Sequence, residues 1–152
     1  MKWISKDVEM YIGAKEYVDT AIVPLLGITF QNGIKQSASI NEFISIISQE
    51  IEKQFKGRVL LLPPVTYLND GEMDMKKQQI YQWKQALEQE GFPFIFFLTS
   101  DADWKTIESE IGNSLLYLPS LPLESLDEKY KIPMMEEQVS DVLGIISRKW
   151  RT

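Results

Sequence analysis

Hydrophobic side chains recur along the chain with two alternating periods, one helical and one extended. The clearest helical stripe carries an apolar residue at Ile40, Phe43, Ile44, Ile47 and Ile51. Ser39 and Glu42 form a capping-box pattern that predicts the start of this helix. Similar stripes predict a helix from Ser5, one from about Glu72 to Glu90, a short one capped by Asp101 or Asp103, and a last one from Pro133.

Short apolar segments lie between these helices and predict four strands. They are Val18 to Val23, Arg58 to Leu62, Phe92 to Leu98 and Ser114 to Leu118. Pro24 is expected to end the first strand, because proline cannot donate to a sheet ladder. Pro63 and Pro64 are expected to close the second strand in the same way.

Helices that alternate with buried strands imply βαβ units and therefore parallel pairing. We predict a three-layer, Rossmann-like (flavodoxin-like) α/β sandwich, with a mostly parallel sheet of about four strands and helices on both faces. The strand order is expected to be 2-1-3-4. The length of 152 residues suits a single domain, so residues 1–152 are assigned to one unit.

The composition excludes several kinds of chemistry and partner. The chain has no Cys and no His, which removes thiolate metal sites, Cys nucleophiles and Ser-His-Asp triads. A net charge of −6 argues against nucleic acid as the partner, because phosphates are neutralised by clustered Lys and Arg. We see no signal peptide and no apolar run that could cross a membrane, so a cytoplasmic protein with no membrane partner is expected.

Ligands of open α/β sheets bind beyond the carboxyl ends of the strands, which directs attention to the loops there. The loop after the first strand, from Leu25 to Ala38, contains Gly27 and Gly33, but its glycine spacing departs from that of a phosphate-binding loop. A degenerate nucleotide or sugar-nucleotide site from Gly27 to Ser37 is the weakest of our hypotheses. The length of this loop nevertheless favours a functional role.

The loop after the second strand offers Thr66, Tyr67 and Asn69 as candidate ligand-binding residues. They precede Asp70 and Gly71, and Asn-Asp-Gly is also typical of a plain turn. We favour the turn here and keep ligand binding as the alternative.

The loop after the third strand has the strongest potential chemistry. Thr99 and Ser100 are candidate ligand-binding residues, and Asp101 and Asp103 are candidate ligands for Mg²⁺ or Mn²⁺, since hard cations prefer oxygen. The same aspartates suit an N-cap, which is the interpretation we favour. The fourth loop, from Pro119 to Ile132, carries no catalytic pattern and is expected to be a flap, a partner-binding segment or a packed crossover.

Two stretches of sequence resemble a known family. The first comprises Met1-Lys2-Trp3, Asp7, Tyr11, Lys15 to Ala21 and Pro24-Leu25, and the second comprises Leu61 to Pro64 with Tyr67 and the helix of Trp83. Together they resemble the YpiF-like family of uncharacterised proteins from Bacillus and related Firmicutes. The resemblance implies a cytoplasmic bacterial protein and assigns no activity to any residue.

Two functional hypotheses from different classes follow. The first is a non-enzymatic cytosolic binding or regulatory module with a protein partner or a second copy of itself. The alternative is a small-ligand-binding protein or metal-dependent enzyme that uses the loops Thr66 to Asp70 and Thr99 to Asp103. In the enzyme alternative, Asp101 and Asp103 would act as metal ligands or as acid/base groups. No residue is assigned as catalytic, and the cofactor is unknown.

Overall fold

The computed structural model describes the backbone of residues 1–152 and every side chain except those of Asn113 and Glu124. The helices are α1 (Ser5–Gly13), α2 (Ile34–Gln54), α3 (Met73–Glu90), α4 (Glu108–Ile111) and α5 (Glu128–Trp150). The strands are β1 (Thr20–Ile28), β2 (Val59–Leu61), β3 (Val65–Leu68), β4 (Phe94–Thr99) and β5 (Leu115–Tyr117). Short 3₁₀ helices cover Ala102–Ile107, Gly112–Ser114 and Leu123–Ser125.

All strand pairs in the sheet are parallel, and the order is β2-β1-β4-β5. β3 pairs with the second half of β1, on the edge that β2 occupies along the first half. β2 and β3 are therefore two halves of one interrupted strand, and the predicted order 2-1-3-4 is confirmed. The predicted α/β class with helices on both faces is confirmed as well.

Helices cover the two faces of the sheet with separate hydrophobic clusters. On one face, Ile47 of α2 and Val142 of α5 pack over Ile22 and Phe96. On the other, Ile80 of α3 and Trp104 pack with Val23 of β1 and Phe97 of β4. Burying one large apolar side chain stabilises the fold by about 1.5–3 kcal/mol, so these clusters hold the layers together.

β1 continues through Pro24, and the prediction that this proline ends the strand is wrong. The Ile22 carbonyl accepts a hydrogen bond from the Leu62 N–H at 2.9 Å, so the backbone groups of Ile22 face the β2 edge. Because backbone direction alternates along a strand, those of Pro24 face the same edge. Beside Pro24, Pro63 and Pro64 separate β2 from β3, so no strand runs along this part of the edge. The lack of an N–H on Pro24 therefore costs the sheet no hydrogen bond.

The segment after Pro63-Pro64 is also not the loop that was predicted. Val65–Leu68 forms β3, in register with Leu25–Ile28 of β1. Its side chains alternate between buried and exposed positions, as expected of a strand with one covered face. The prolines bend the chain between β2 and β3 without taking it away from β1.

Two predicted helix starts are wrong. α2 begins at Ile34, so Ser39 lies inside the helix and does not mark its start. Gly33 precedes the helix with a φ of 90°, a conformation that glycine adopts easily. The connection between β1 and α2 shrinks to residues 29–33. α5 begins at Glu128, so Pro133 lies in its second turn and not at its start. The prediction placed the start too late because the first turn of α5 is polar and shows no apolar stripe in the sequence.

Candidate ligand-binding cleft

The carboxyl ends of β1, β3 and β4 open into a cleft of about 260 Å³. The chain leaves β1 toward the β2 edge of the sheet and leaves β4 toward the β5 edge. The cleft between these two neighbouring strands therefore lies at a topological switch point. Most of its lining side chains are uncharged and polar: Thr29, Asn32, Gln36, Ser37, Asn41, Asn69 and Ser100. The charged side chain in the lining is that of Asp101.

A hydrogen-bonded chain of three side chains forms one wall of the cleft. The Trp104 indole Nε1 donates to the Tyr67 hydroxyl at 2.8 Å, and that hydroxyl donates to Asp101 Oδ2 at 2.7 Å. The two rings meet edge to face, with centroids 5.3 Å apart. Trp104 is buried, so the chain fixes Tyr67 and Asp101 to the core of the protein.

The environment of Tyr67 keeps its hydroxyl protonated. Burial raises the pKa of Tyr67 far above its ordinary value, and the hydrogen bond to Asp101 raises that pKa further. The hydroxyl is therefore a hydrogen-bond donor throughout the physiological pH range. A protonated hydroxyl of this kind is suited to donate a hydrogen bond.

Gly27 allows β1 and the end of β3 to approach each other closely. A Cβ atom at this position would lie 2.0 Å from Asn69 Oδ1 and 3.0 Å from the Tyr67 ring. The Gly27 carbonyl accepts hydrogen bonds from Ser37 Oγ at 2.8 Å and Asn41 Nδ2 at 3.0 Å. Gly27 of β1 thus contacts both the end of β3 and the first turns of α2.

The first turn of α2 forms the opposite wall. Gly33 provides no side chain to cap the helix, and the first turn contains no acidic residue. The first N–H groups of a helix have no partner within it and carry a partial positive charge. Gly33, Gln36 and Ser37 all line the cleft, so this end of the helix faces its interior.

Ser100 carries a buried polar atom in the cleft that lacks a partner. The residue is 8% exposed, and its Oγ makes no hydrogen bond to any part of the chain that the structure describes. A buried hydroxyl without a partner costs about 1–3 kcal/mol. Because Ser100 lines the cleft, a bound molecule could provide the missing hydrogen bond.

The structure separates the candidate residues into two groups. Tyr67, Asn69, Ser100 and Asp101 line the cleft together, although they come from two different loops of the predicted fold. Outside the lining, Thr66 is exposed on β3.

Thr99 and Asp103 also lie outside the lining. Thr99 is buried beneath the cleft, where its Oγ1 accepts a hydrogen bond from the Asp101 N–H at 3.0 Å. Asp103 is exposed, and its N–H donates to Asp101 Oδ1 at 3.0 Å.

Of the two candidate metal ligands, Asp101 is an N-cap and Asp103 lies in the helix that it caps. Asp101 caps the 3₁₀ helix Ala102–Ile107 through that bond from the Asp103 N–H, as the favoured interpretation expected. Its other carboxylate oxygen accepts from Tyr67. Within the described side chains, no three acidic groups come together as a metal site would require.

Sequence reasoning missed two residues that α2 contributes. Ile40 and Asn41 line the cleft, whereas Gln36 and Ser37 fall within the Gly27 to Ser37 segment of the weakest hypothesis. Ser37 and Asn41 are four residues apart and so lie on one face of a helix. That spacing was the available signal, but it indicates a shared face only if the helix begins before Ser37, as it does at Ile34.

These features define a parallel α/β protein with a polar cleft at the switch point of its sheet. The chain belongs to the family described as "Protein of unknown function (DUF2487)", whose model matches residues 9–150. It is similar to a Bacillus subtilis (strain 168) protein named "Uncharacterized protein YpiF", with 36% identity over 152 residues that cover 100% of this chain and 99% of that protein. The resemblance noted in the sequence is confirmed.

Two further findings concern the chain as a whole. No solved structure matches it. Among the helices of the described residues, none has the length and apolar character needed to cross a membrane.

Proposed function

We propose that the protein is a cytoplasmic, non-enzymatic binding module that takes a small polar ligand in the strand-end cleft. The observation that carries this proposal is the buried Ser100 Oγ, which has no hydrogen-bond partner in the described chain and lines the cleft. Asn32, Gln36 and Asn69 add amide groups that can donate and accept around the same space.

Binding is favoured over catalysis by the state of the hydroxyl groups. Ser37 donates its proton to the Gly27 carbonyl, and Tyr67 donates to a carboxylate while its pKa is raised. Neither hydroxyl is therefore activated as a nucleophile. Fixed hydrogen-bonding groups on rigid elements are typical of recognition sites.

The size of the cleft restricts the ligand. Its volume of about 260 Å³ falls just below the range of about 300–1,000 Å³ typical of pockets for drug-sized molecules. A compact polar metabolite fits better than a dinucleotide. The uncapped end of α2 favours a ligand that presents a carboxylate or phosphate there.

A thermal-shift screen tests the proposal. The panel contains amino acids, sugar phosphates, mononucleotides and divalent metals. A ligand at 100 times its Kd adds about 2.7 kcal/mol to the free energy of unfolding, which corresponds to roughly 5–10 °C for a chain of this length. We expect a polar metabolite to give such a shift, and no shift from any compound would contradict the proposal.

Ser100→Ala provides the matched variant for this screen. The substitution removes a buried hydroxyl that has no partner in the described chain, so the unliganded protein should be at least as stable as the natural protein, by up to about 1–3 kcal/mol. The ligand-induced shift should fall by at least half. A full shift in the variant would place the ligand elsewhere on the protein.

A further inference from the structure

A second, larger depression lies between α2 and α5, on the face of the protein that these helices cover. The two helices run side by side in the same direction, since Phe55 and Trp150 at their C-terminal ends meet edge to face with centroids 4.6 Å apart. The space between them has a volume of about 740 Å³. We name it the α2–α5 groove and define it by its apolar residues Ile46, Leu123, Ile132, Met135, Val139 and Leu143.

The α2–α5 groove exposes apolar surface in an elongated shape. Ile46 is 38% exposed and Ile132 is 67% exposed. On α2, the lining residues Glu42, Ile46, Glu50 and Gln54 follow one another every four residues along one stripe. At a rise of about 1.5 Å per residue, this stripe is about 18 Å long, which matches roughly three turns of a helix.

The rim of the α2–α5 groove is acidic. Glu42, Glu50, Glu128 and Glu136 line it together with one cation, Lys131. Lys131 already pairs with Glu128 at 3.1 Å, and Glu50 is 3.7 Å from Lys53. Glu42 and Glu136 make no ion pair with the described side chains.

We propose that the α2–α5 groove binds a basic amphipathic helix of another protein. The apolar side of such a helix would cover Ile46 and Ile132, and its Lys or Arg residues would pair with Glu42 and Glu136. An amphipathic helix that lays its apolar side into a groove is a recurring mode of recognition. This proposal concerns a second site and does not depend on the strand-end cleft.

The negative charge of the rim favours a basic helix over a second copy of the chain, an anionic lipid surface or a nucleic acid. A two-fold dimer through this surface would place glutamates of one copy against glutamates of the other, and such like-charge contacts are unfavourable. Anionic lipids and nucleic acids carry the same sign as the rim. A positively charged partner matches both the apolar floor and the acidic rim.

A designed peptide tests the proposal directly. The probe is a fluorescent peptide of about 18 residues, with Leu at helical spacing on one side and Lys on the other. Two control peptides have the same length, one with the same residues in scrambled order and one with Glu in place of Lys. We expect the probe to bind at least tenfold more tightly than either control in fluorescence anisotropy. Equal binding of the probe and the scrambled peptide would overturn the proposal.

Charge-reversal variants locate the binding surface. The double variant Glu42→Lys, Glu136→Lys should weaken binding of the probe at least tenfold. The double variant Glu9→Lys, Glu16→Lys makes the same change in net charge at exposed positions away from the groove, and we expect less than a threefold effect from it. Equal weakening by the two variants would show that binding follows net charge alone.

Labels at single cysteines give a second readout of location. The natural chain has no Cys, so Ser140→Cys in the groove and Ser109→Cys on exposed α4 each create one attachment site. A polarity-sensitive dye should respond to the peptide at residue 140 and stay unchanged at residue 109.

Ser100→Ala should bind the probe like the natural protein. A dimer in analytical ultracentrifugation that Glu42→Lys, Glu136→Lys dissociates would identify a second copy as the occupant and refute the proposal.

Discussion

Tyr67 and Asp101 are 34 residues apart in the chain, yet the Tyr67 hydroxyl donates a 2.7 Å hydrogen bond to Asp101 Oδ2. This bond connects the end of β3 to the segment after β4, on opposite sides of β1. Trp104 completes the connection from within the core. The strand-end cleft is thus built on a rigid part of the molecule, as a preorganised binding site requires.

Removing the Tyr67 hydroxyl should destabilise the protein. Tyr67→Phe leaves the buried Trp104 Nε1 without its acceptor, and an unsatisfied buried donor costs about 1–3 kcal/mol. Urea denaturation should show this loss as a lower midpoint with an unchanged slope. Tyr17→Phe is the matched control, because Tyr17 is 67% exposed and should change stability by less than about 0.5 kcal/mol. Equal stability of the two variants would contradict the importance of the hydrogen-bonded chain.

Stability should decrease in alkaline solution. Burial raises the pKa of Tyr11 to about 12 and that of Tyr67 further still, whereas tyrosines of the unfolded chain titrate near pH 10. Above about pH 10 the unfolded state therefore binds fewer protons than the folded state, and the free energy of unfolding falls as pH rises. The contribution of these hydroxyls is fully present below pH 10 and is lost through about pH 12 for Tyr11.

Urea midpoints measured from pH 8 to pH 11 check this pH dependence. The double variant Tyr11→Phe, Tyr67→Phe should show a flatter decline above about pH 10 than the natural protein. An identical decline in both proteins would assign the alkaline loss to other groups. Absorbance at the tyrosinate band adds a second test, because Tyr67 should ionise only as the protein unfolds.

Gly27→Ala should damage both the fold and the cleft. The new Cβ would overlap Asn69 Oδ1 and press on the Tyr67 ring, which two hydrogen bonds hold in place. Overpacking of this kind costs about 1–3 kcal/mol. Gly13→Ala is the control, since nothing lies within 4 Å of its added Cβ and alanine favours the helix. Denaturant curves of the two variants should shift in opposite directions.

Hydrophobic periodicity predicted most of the fold because each layer is built on a continuous apolar surface. Phe43, Ile47 and Ile51 are spaced as a helix requires, and all three are fully buried. The errors arise where tertiary context overrides a local signal. Pro24 is tolerated in β1 only because Pro63 and Pro64 interrupt the neighbouring edge, and no local pattern connects these positions.

The cleft was predictable in position but not in composition. The rule that ligands bind at the carboxyl ends of parallel strands predicted that Tyr67, Asn69, Ser100 and Asp101 lie at this edge of the sheet, and all four line the cleft. The contribution of α2 was predicted only in part: the Gly27 to Ser37 segment was the weakest hypothesis, and Ile40 and Asn41 were missed because the sequence does not show that the helix begins at Ile34. The contact between Gly27 and Asn69 depends on the register of β1 with β3. The sequence analysis predicted a loop in place of β3, so it gave no register from which this contact could be inferred.

The buried Glu52 should be among the most sensitive charged positions in the chain. Its Oε1 lies 3.0 Å from the N-terminal ammonium group of Met1, and both side chains are almost fully buried. The ammonium group also donates to the Val59 carbonyl at 2.9 Å, which ties the start of the chain to β2. Glu52→Gln removes one charge of a buried pair and leaves the other uncompensated, a change that typically costs about 3–5 kcal/mol. Glu50→Gln, on the more exposed side of α2, should cost less than about 1 kcal/mol. Urea denaturation of both variants decides the matter: a loss at Glu52 no larger than that at Glu50 would show that the pair contributes no more than a surface ion pair.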